Sequence, residues 1–186
     1  MTTNQKIIYK TYQHNPPHLF IPNAKYFITA STYQKLHHFS TKFAKQILLE
    51  SIIKGFSKGD WHLEDWVILD NHYHLIVNSP ENAVDLPKII RDIHRFTTLK
   101  LRKTFPDLEQ KKRIWYNYWD TCLTYERSYF ARINYTWFNP VKHFLIDDPV
   151  KWEFGSYYYR FRENEDAVRE LVRNYPFDKI KVEDDF

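Results

Sequence analysis

Cysteine is nearly missing from this chain: Cys122 is the only one in 186 residues. An internal disulfide and a cysteine-built zinc ribbon are both excluded. Glycine is almost as scarce, at three residues. No Gly-rich phosphate loop can be built, and backbone positions with φ > 0 are expected to be few. No apolar run is long enough to cross a bilayer, and the N-terminus does not read as a signal peptide. The default expectation is therefore a cytoplasmic protein with no membrane partner.

Aromatic residues are abundant, with 14 Tyr, 14 Phe and 6 Trp. Rings in such number either fill a core or offer planar faces for stacking bases. With 43% hydrophobic residues the chain is not disordered. The net charge of +4 is compatible with a nucleic-acid partner without requiring one.

Residues 1–25 are polar and broken by Pro16, Pro17 and Pro22, and read as an N-terminal arm. Residues 26–146 read as one domain, and 147–186 as an extension packed on it or flanking it. The stretch Tyr26–Tyr33 is a first strand. A helix capped by Ser40 or Thr41 runs to about Phe56, with Gly55 and Gly59 marking its end. Trp61–Leu69 and His72–Asn78 are two further strands, joined by only Asp70-Asn71 and so antiparallel neighbours. Residues 85–105 form a helix with Ile89, Ile93, Phe96 and Leu99 as its apolar stripe. Residues 114–119 are an aromatic loop leading into a fourth strand. Residues 127–138 are a helix that kinks or ends where Pro140 follows Asn139. One more helix fits residues 165–173. Strands and crossover helices in this order predict an α+β fold, an antiparallel sheet with helices packed on it.

Four residues organise the functional reading: Asn71-His72-Tyr73-His74. On a strand, His72 and His74 share a face, where their imidazoles can converge on one cation or stand as polar residues on a wet face. Tyr135 and Asn139 sit side by side on a helix at i, i+4. Lys88, Arg91, Arg95 and Arg102 form a basic stripe on the 85–105 helix, either a solvated face or a phosphate-binding one. Lys111-Lys112-Arg113 followed by Trp115 mixes charge and rings as single-strand-binding surfaces do, although those rings can equally pack under the sheet.

Taken together, these motifs resemble a known family. Asn71-His72-Tyr73-His74 after a strand looks like the His-hydrophobic-His motif of the HUH (Y1) transposases of the IS200/IS605 type. Tyr135-x-x-x-Asn139-Pro140-Val141-Lys142 is similar to the tyrosine-helix motif of the REP-associated tyrosine transposase branch. The resemblance implies the HUH endonuclease fold, a ferredoxin-like antiparallel sheet with helices. It also implies cleavage and rejoining of single-stranded DNA at hairpin-associated sites through a 5′-phosphotyrosine. Tyr135 would be the nucleophile, with Tyr125 as runner-up. His72, His74 and Asn139 would hold a divalent metal, Mg²⁺ or Mn²⁺. Lys88, Arg91, Arg95, Arg102, Lys111, Lys112, Arg113, Trp115 and Lys142 would contact DNA. A monomer is favoured, with a homodimer as the alternative. Two departures stand out: Asp70 occupies a place where many members have Pro, and Asn139 one where the insertion-sequence branch has Gln. The rival reading is a module that grips single-stranded or structured nucleic acid without cutting it.

Overall fold

A computed structural model describes residues 9–12, 15–19, 21–82 and 85–175. Its centre is a four-stranded antiparallel sheet. The strands are β3 (Lys25–Thr32), β4 (His62–Ile68), β5 (His72–Asn78) and β6 (Trp115–Leu123), in the order β4-β5-β3-β6. β1 (Tyr9–Tyr12) and β2 (Asn15–Leu19) pair separately as an antiparallel ribbon. Pro16 and Pro17, read above as breaks, lie within β2; a two-stranded ribbon is all edge and tolerates them. The rest of residues 1–25, and residues 176–186, lie largely outside the described residues.

The pleat divides the sheet into two buried faces. On one, Ile28 and Ala30 of β3 and Tyr73, Leu75 and Val77 of β5 pack against α1 (Lys42–Lys58) and α2 (Leu86–Thr104). On the other, Phe27 and Ile76 pack against α3 (Glu126–Lys142). α1 begins at Thr41, whose hydroxyl accepts from the Ala44 N–H at 3.1 Å, a side-chain cap. Gly55 lies inside α1 instead of ending it. A Cβ there would stand 2.5 Å from Ile93, so the glycine lets α1 and α2 approach closely.

Three expectations change. The buried stripe of α2 is Leu86, Ile89, Ile90, Ile93, Thr97 and Leu101, while Phe96 and Leu99 face outward. β6 begins at Trp115, because pairing with β3 extends into the stretch read as a loop. α3 runs through Pro140 without a break, so Asn139 is a helix-interior residue. Pro140 costs α3 one backbone hydrogen bond; buried Ile133, Tyr135 and Trp137 hold the helix on the sheet regardless. The scarcity of glycine also constrains less than expected. Asn23, Gln34, Lys35, Asp60 and Phe144 all take positive φ.

α4 (Ser156–Glu163) and α5 (Glu165–Asn174) follow, adding Tyr157 and Val168 to the α3 side. A single carboxylate joins these parts. Asp65 of β4 is wholly buried and accepts from Trp137 Nε1 (2.8 Å), Ser156 Oγ (2.7 Å) and both Nε and Nη2 of Arg160 (2.9 Å each). Burial pushes its carboxyl up, and Arg160 opposes that by favouring the charge. Asp65→Ala removes the acceptor shared by four donor groups on three residues. We expect a loss of about 2–3 kcal/mol, reduced from a fully buried pair because Arg160 is partly exposed. Thermal unfolding should show a midpoint lower by roughly 5–10 °C.

Candidate active site on the covered face of the sheet

His72 and His74 alternate with Tyr73 along β5 and point to the face that α3 covers. They are only 2% and 0% exposed, so this is not a wet face. Their ring centroids are 5.1 Å apart. The strand register sets Ser31 opposite His72 and Thr29 opposite His74. Thr29 Oγ1 is 2.8 Å from His74 Nδ1, and Asn71 Oδ1 is 2.7 Å from His72 Nδ1. Asn71 is itself fixed, donating from Nδ2 to the Lys35 carbonyl at 3.2 Å. Partners on Nδ1 select the ring orientation and leave Nε2 for the interior of the site.

Both imidazoles are neutral. Burial lowers His72 to about 3, with His143 nearby adding to the effect. Burial and then the neighbouring His72 hold His74 well below the usual range. A neutral ring has one N–H. With that of His72 given to Asn71, the lone pair on Nε2 faces Asn139 Oδ1 at 3.1 Å. The contact is a hydrogen bond when the Asn139 amide turns its Nδ2 towards His72, and sets two acceptors face to face otherwise. Imidazole nitrogens and an amide oxygen are a donor set of the kind that divalent ions accept. Asn139 is fully buried, and its Nδ2 has no hydrogen-bond partner. No three His, Cys, Asp or Glu side chains are grouped to hold a metal ion among the described residues.

Tyr135 lies one turn before Asn139 on the same face of α3. Its ring centroid is 5.3 Å from that of His74 and 6.1 Å from Phe27. Lys142 Nζ donates to its hydroxyl at 3.1 Å and lies 4.8 Å from its ring. The ammonium is thus placed to compensate negative charge on the phenolic oxygen. Lys142 is exposed, and the site meets solvent on that side. Tyr125, the runner-up, is 76% exposed just before α3 and about 15 Å from Tyr135 along the helix axis. Tyr129 instead donates its hydroxyl to Glu64 at 3.0 Å.

Asp70, unexplained in the sequence, clamps the turn before the histidines. It accepts from Lys45 Nζ at 2.7 Å, and that buried ammonium lies 5.2 Å from the Trp152 ring. The Asp70 carbonyl also accepts from Phe39 N–H at 2.8 Å.

The basic residues distribute differently. Lys88, Arg91, Arg95 and Arg102 ride on α2, across the sheet from Tyr135. Arg95, Arg102, Lys112 and Arg113 border one shallow cavity of about 340 Å³. Lys88 borders another of about 530 Å³ between α1 and α2. Lys111 is exposed, its carbonyl accepting from Arg102. Trp115 is 7% exposed and stacked on His94, with centroids 4.0 Å apart, so its ring belongs to the core. Only Lys142 of that set reaches the histidine face. Asn71 was named only as part of the motif, and Thr29 and His143 were not named. His143, with its centroid 4.8 Å from His72, follows the Asn-Pro-Val-Lys run directly, while Thr29 is found only through strand register.

The family model for IS200-like transposases matches residues 20–134. The chain belongs to this family. The matched segment carries both histidines of this family member and stops one residue short of Tyr135. The REP-associated tyrosine transposase of Escherichia coli K12 is 27% identical over 114 residues, which is 61% of this chain. The match spans 64% of that relative's length, just under two thirds. A REP-associated tyrosine transposase solved bound to a REP hairpin superposes with a TM-score of 0.66, covering 95% of this chain and 94% of that one. At 24% identity this likeness speaks for the fold, an α+β sheet with helices packed on it. No helix among the described residues is long and apolar enough to cross a membrane.

Neutral buried histidines make stability depend on pH. In the unfolded chain they protonate below about 6.5. In the folded protein, burial holds His72 and His94 at about 3. The unfolded state therefore takes up protons that the folded state refuses. Stability should be full above pH 6.5 and fall on acidification towards pH 3, by up to about 1.4 kcal/mol per pH unit for each such group. Urea unfolding at pH 7 and pH 5 tests this; His94→Gln should flatten the dependence.

Proposed function

We propose that this chain is a metal-dependent single-stranded DNA endonuclease and strand transferase that acts at hairpin-associated sites. The observation that carries the reading is the meeting, within one chain, of Tyr135 and Asn139 on α3 with His72 and His74 on β5. A tyrosine one turn from an amide acceptor, over two neutral imidazoles, has no evident structural purpose as a set. His72 and His74 through Nε2 and Asn139 through Oδ1 would hold the ion, Mg²⁺ or Mn²⁺. When bound, it supplies Lewis-acid neutralisation of the phosphate oxygens.

The chain's own residues account for the rest. The Tyr135 phenolic oxygen attacks phosphorus, and its proton passes to solvent on the Lys142 side. The bond from phosphorus to the 3′ oxygen breaks, and that oxygen takes up a proton as a free 3′ hydroxyl. The 5′ phosphate remains on Tyr135. Attack by a 3′ hydroxyl reverses the step, and the tyrosyl ester conserves the bond energy, so no nucleotide cofactor is needed. Asn71 and Thr29 hold the imidazoles in orientation. Because the four groups come from one chain, a monomer suffices. The hairpin bound to the related transposase supports the substrate class.

Tyr135→Phe should abolish the covalent adduct with a hairpin oligonucleotide while changing affinity less than about threefold, since only one hydroxyl is lost. His72→Ala and Asn139→Ala should remove cleavage supported by Mg²⁺ or Mn²⁺. An adduct that survives Tyr135→Phe overturns the assignment. Metal-independent binding with no adduct in the unaltered protein identifies a non-cutting module instead.

A further inference from the structure

The register carries the row of His74 across the whole sheet. His74 stands opposite Thr29, and Thr29 opposite Trp119 of β6. Directly opposed residues of antiparallel strands share a face. Trp119 therefore lies on the same face as His74, two strand spacings away, or about 10 Å. β6 is an edge strand, and Trp119 is 38% exposed, with Tyr116 6.0 Å away. Its neighbour Tyr118, opposite Ala30, turns to the α1–α2 core. An indole 38% exposed, in line with the histidines, places an aromatic ring beside the site.

Arg132 supplies the second observation. It lies three residues before Tyr135 on α3, on the same side of the helix. Its guanidinium carbon is 5.7 Å from the Phe27 ring. Phe27 stands opposite Thr121, which makes Trp119 its diagonal neighbour on β6. Nη1 of Arg132 donates to Ser128, while Nε is shielded from solvent without a hydrogen-bond partner. A guanidinium with no carboxylate beside it among the described residues suits a phosphate.

We propose that Trp119 and Arg132 form a nucleotide subsite beside the tyrosine centre. Trp119 stacks an unpaired base next to the scissile phosphate, and Arg132 binds the adjoining backbone phosphate. The occupant is single-stranded DNA, because a paired base keeps its faces within the duplex stack. The subsite rests on the reading of Tyr135 as nucleophile.

The full chain carrying Tyr135→Phe, which holds DNA uncut, is titrated with two fluorescein-labelled probes. One is a DNA hairpin with a single-stranded tail of about ten thymidines, within the span such surfaces cover, and the other is the same hairpin without the tail. Adding Trp119→Ala should weaken binding of the tailed probe by roughly 5- to 100-fold and leave the blunt probe within about twofold. Trp119→Phe should restore most of the loss. Arg132→Gln should weaken the tailed probe and lower the magnitude of its salt slope by about one. Equal losses on both probes, or no loss on the tailed one, overturn the subsite. So does a Trp119→Ala change in oligomeric state with DNA affinity untouched, which would make the indole a contact between copies. If chains retaining Tyr135 still form the adduct while Trp119→Ala binds the tail normally, the subsite alone has failed. If they form no adduct, the nuclease reading has failed first.

Discussion

The centre of this molecule depends on α3 lying across the sheet face that carries His72 and His74. Two imidazoles on an uncovered face would be solvated, protonatable and free to rotate. Under α3 they are desolvated and neutral, and Asn71 and Thr29 fix their rings. The same contact brings Asn139 Oδ1 to 3.1 Å from His72 and the Tyr135 ring to 5.3 Å from His74. Burial therefore does two things at once. It costs the imidazoles their charge, and it gives them the electron pairs that a cation needs.

Holding a helix over polar residues demands anchors elsewhere. Asp65 is one, binding Trp137 of α3, Ser156 and Arg160 of α4 through one buried carboxylate. Trp137 lies only two residues from Tyr135, so this anchor also fixes the rotation of α3 about its axis. Asp70 is another, held by buried Lys45 at the turn that presents Asn71 and His72. The Lys45–Asp70 ion pair stiffens this turn. Asp65 is fully buried and Asp70 half-buried; such pairs stabilise little in net terms but specify geometry, because any other arrangement leaves an uncompensated charge.

The site was more legible in the sequence than the surfaces around it. Backbone geometry puts the His-x-His pair on one strand face and the Tyr-x-x-x-Asn pair on one helix face, and the family resemblance singled these residues out. The basic and aromatic residues could not be sorted the same way. Phe96 and Leu99 have the spacing of core residues and face outward, while Trp115 has the composition of a binding surface and lies in the core. Periodicity gives a side chain's direction relative to its own element, not what lies opposite. Asn139 shows the same limit. Proline after it predicted a kink or an end, and α3 continues through Pro140 to Lys142.

What the sequence determined by itself was local: strand and helix periods, the cap at Thr41, the histidine pair on one face, and the tyrosine and asparagine on another. What only the tertiary structure decided was which faces meet. Thr29 and Trp119 lie far from His74 in the chain, yet strand register puts all three in one row. Arg132 faces this row because α3 crosses it. Such neighbours are set by hydrogen-bond pairing between strands and by helix-on-sheet packing, which act between distant segments and leave no spacing for a single chain to display.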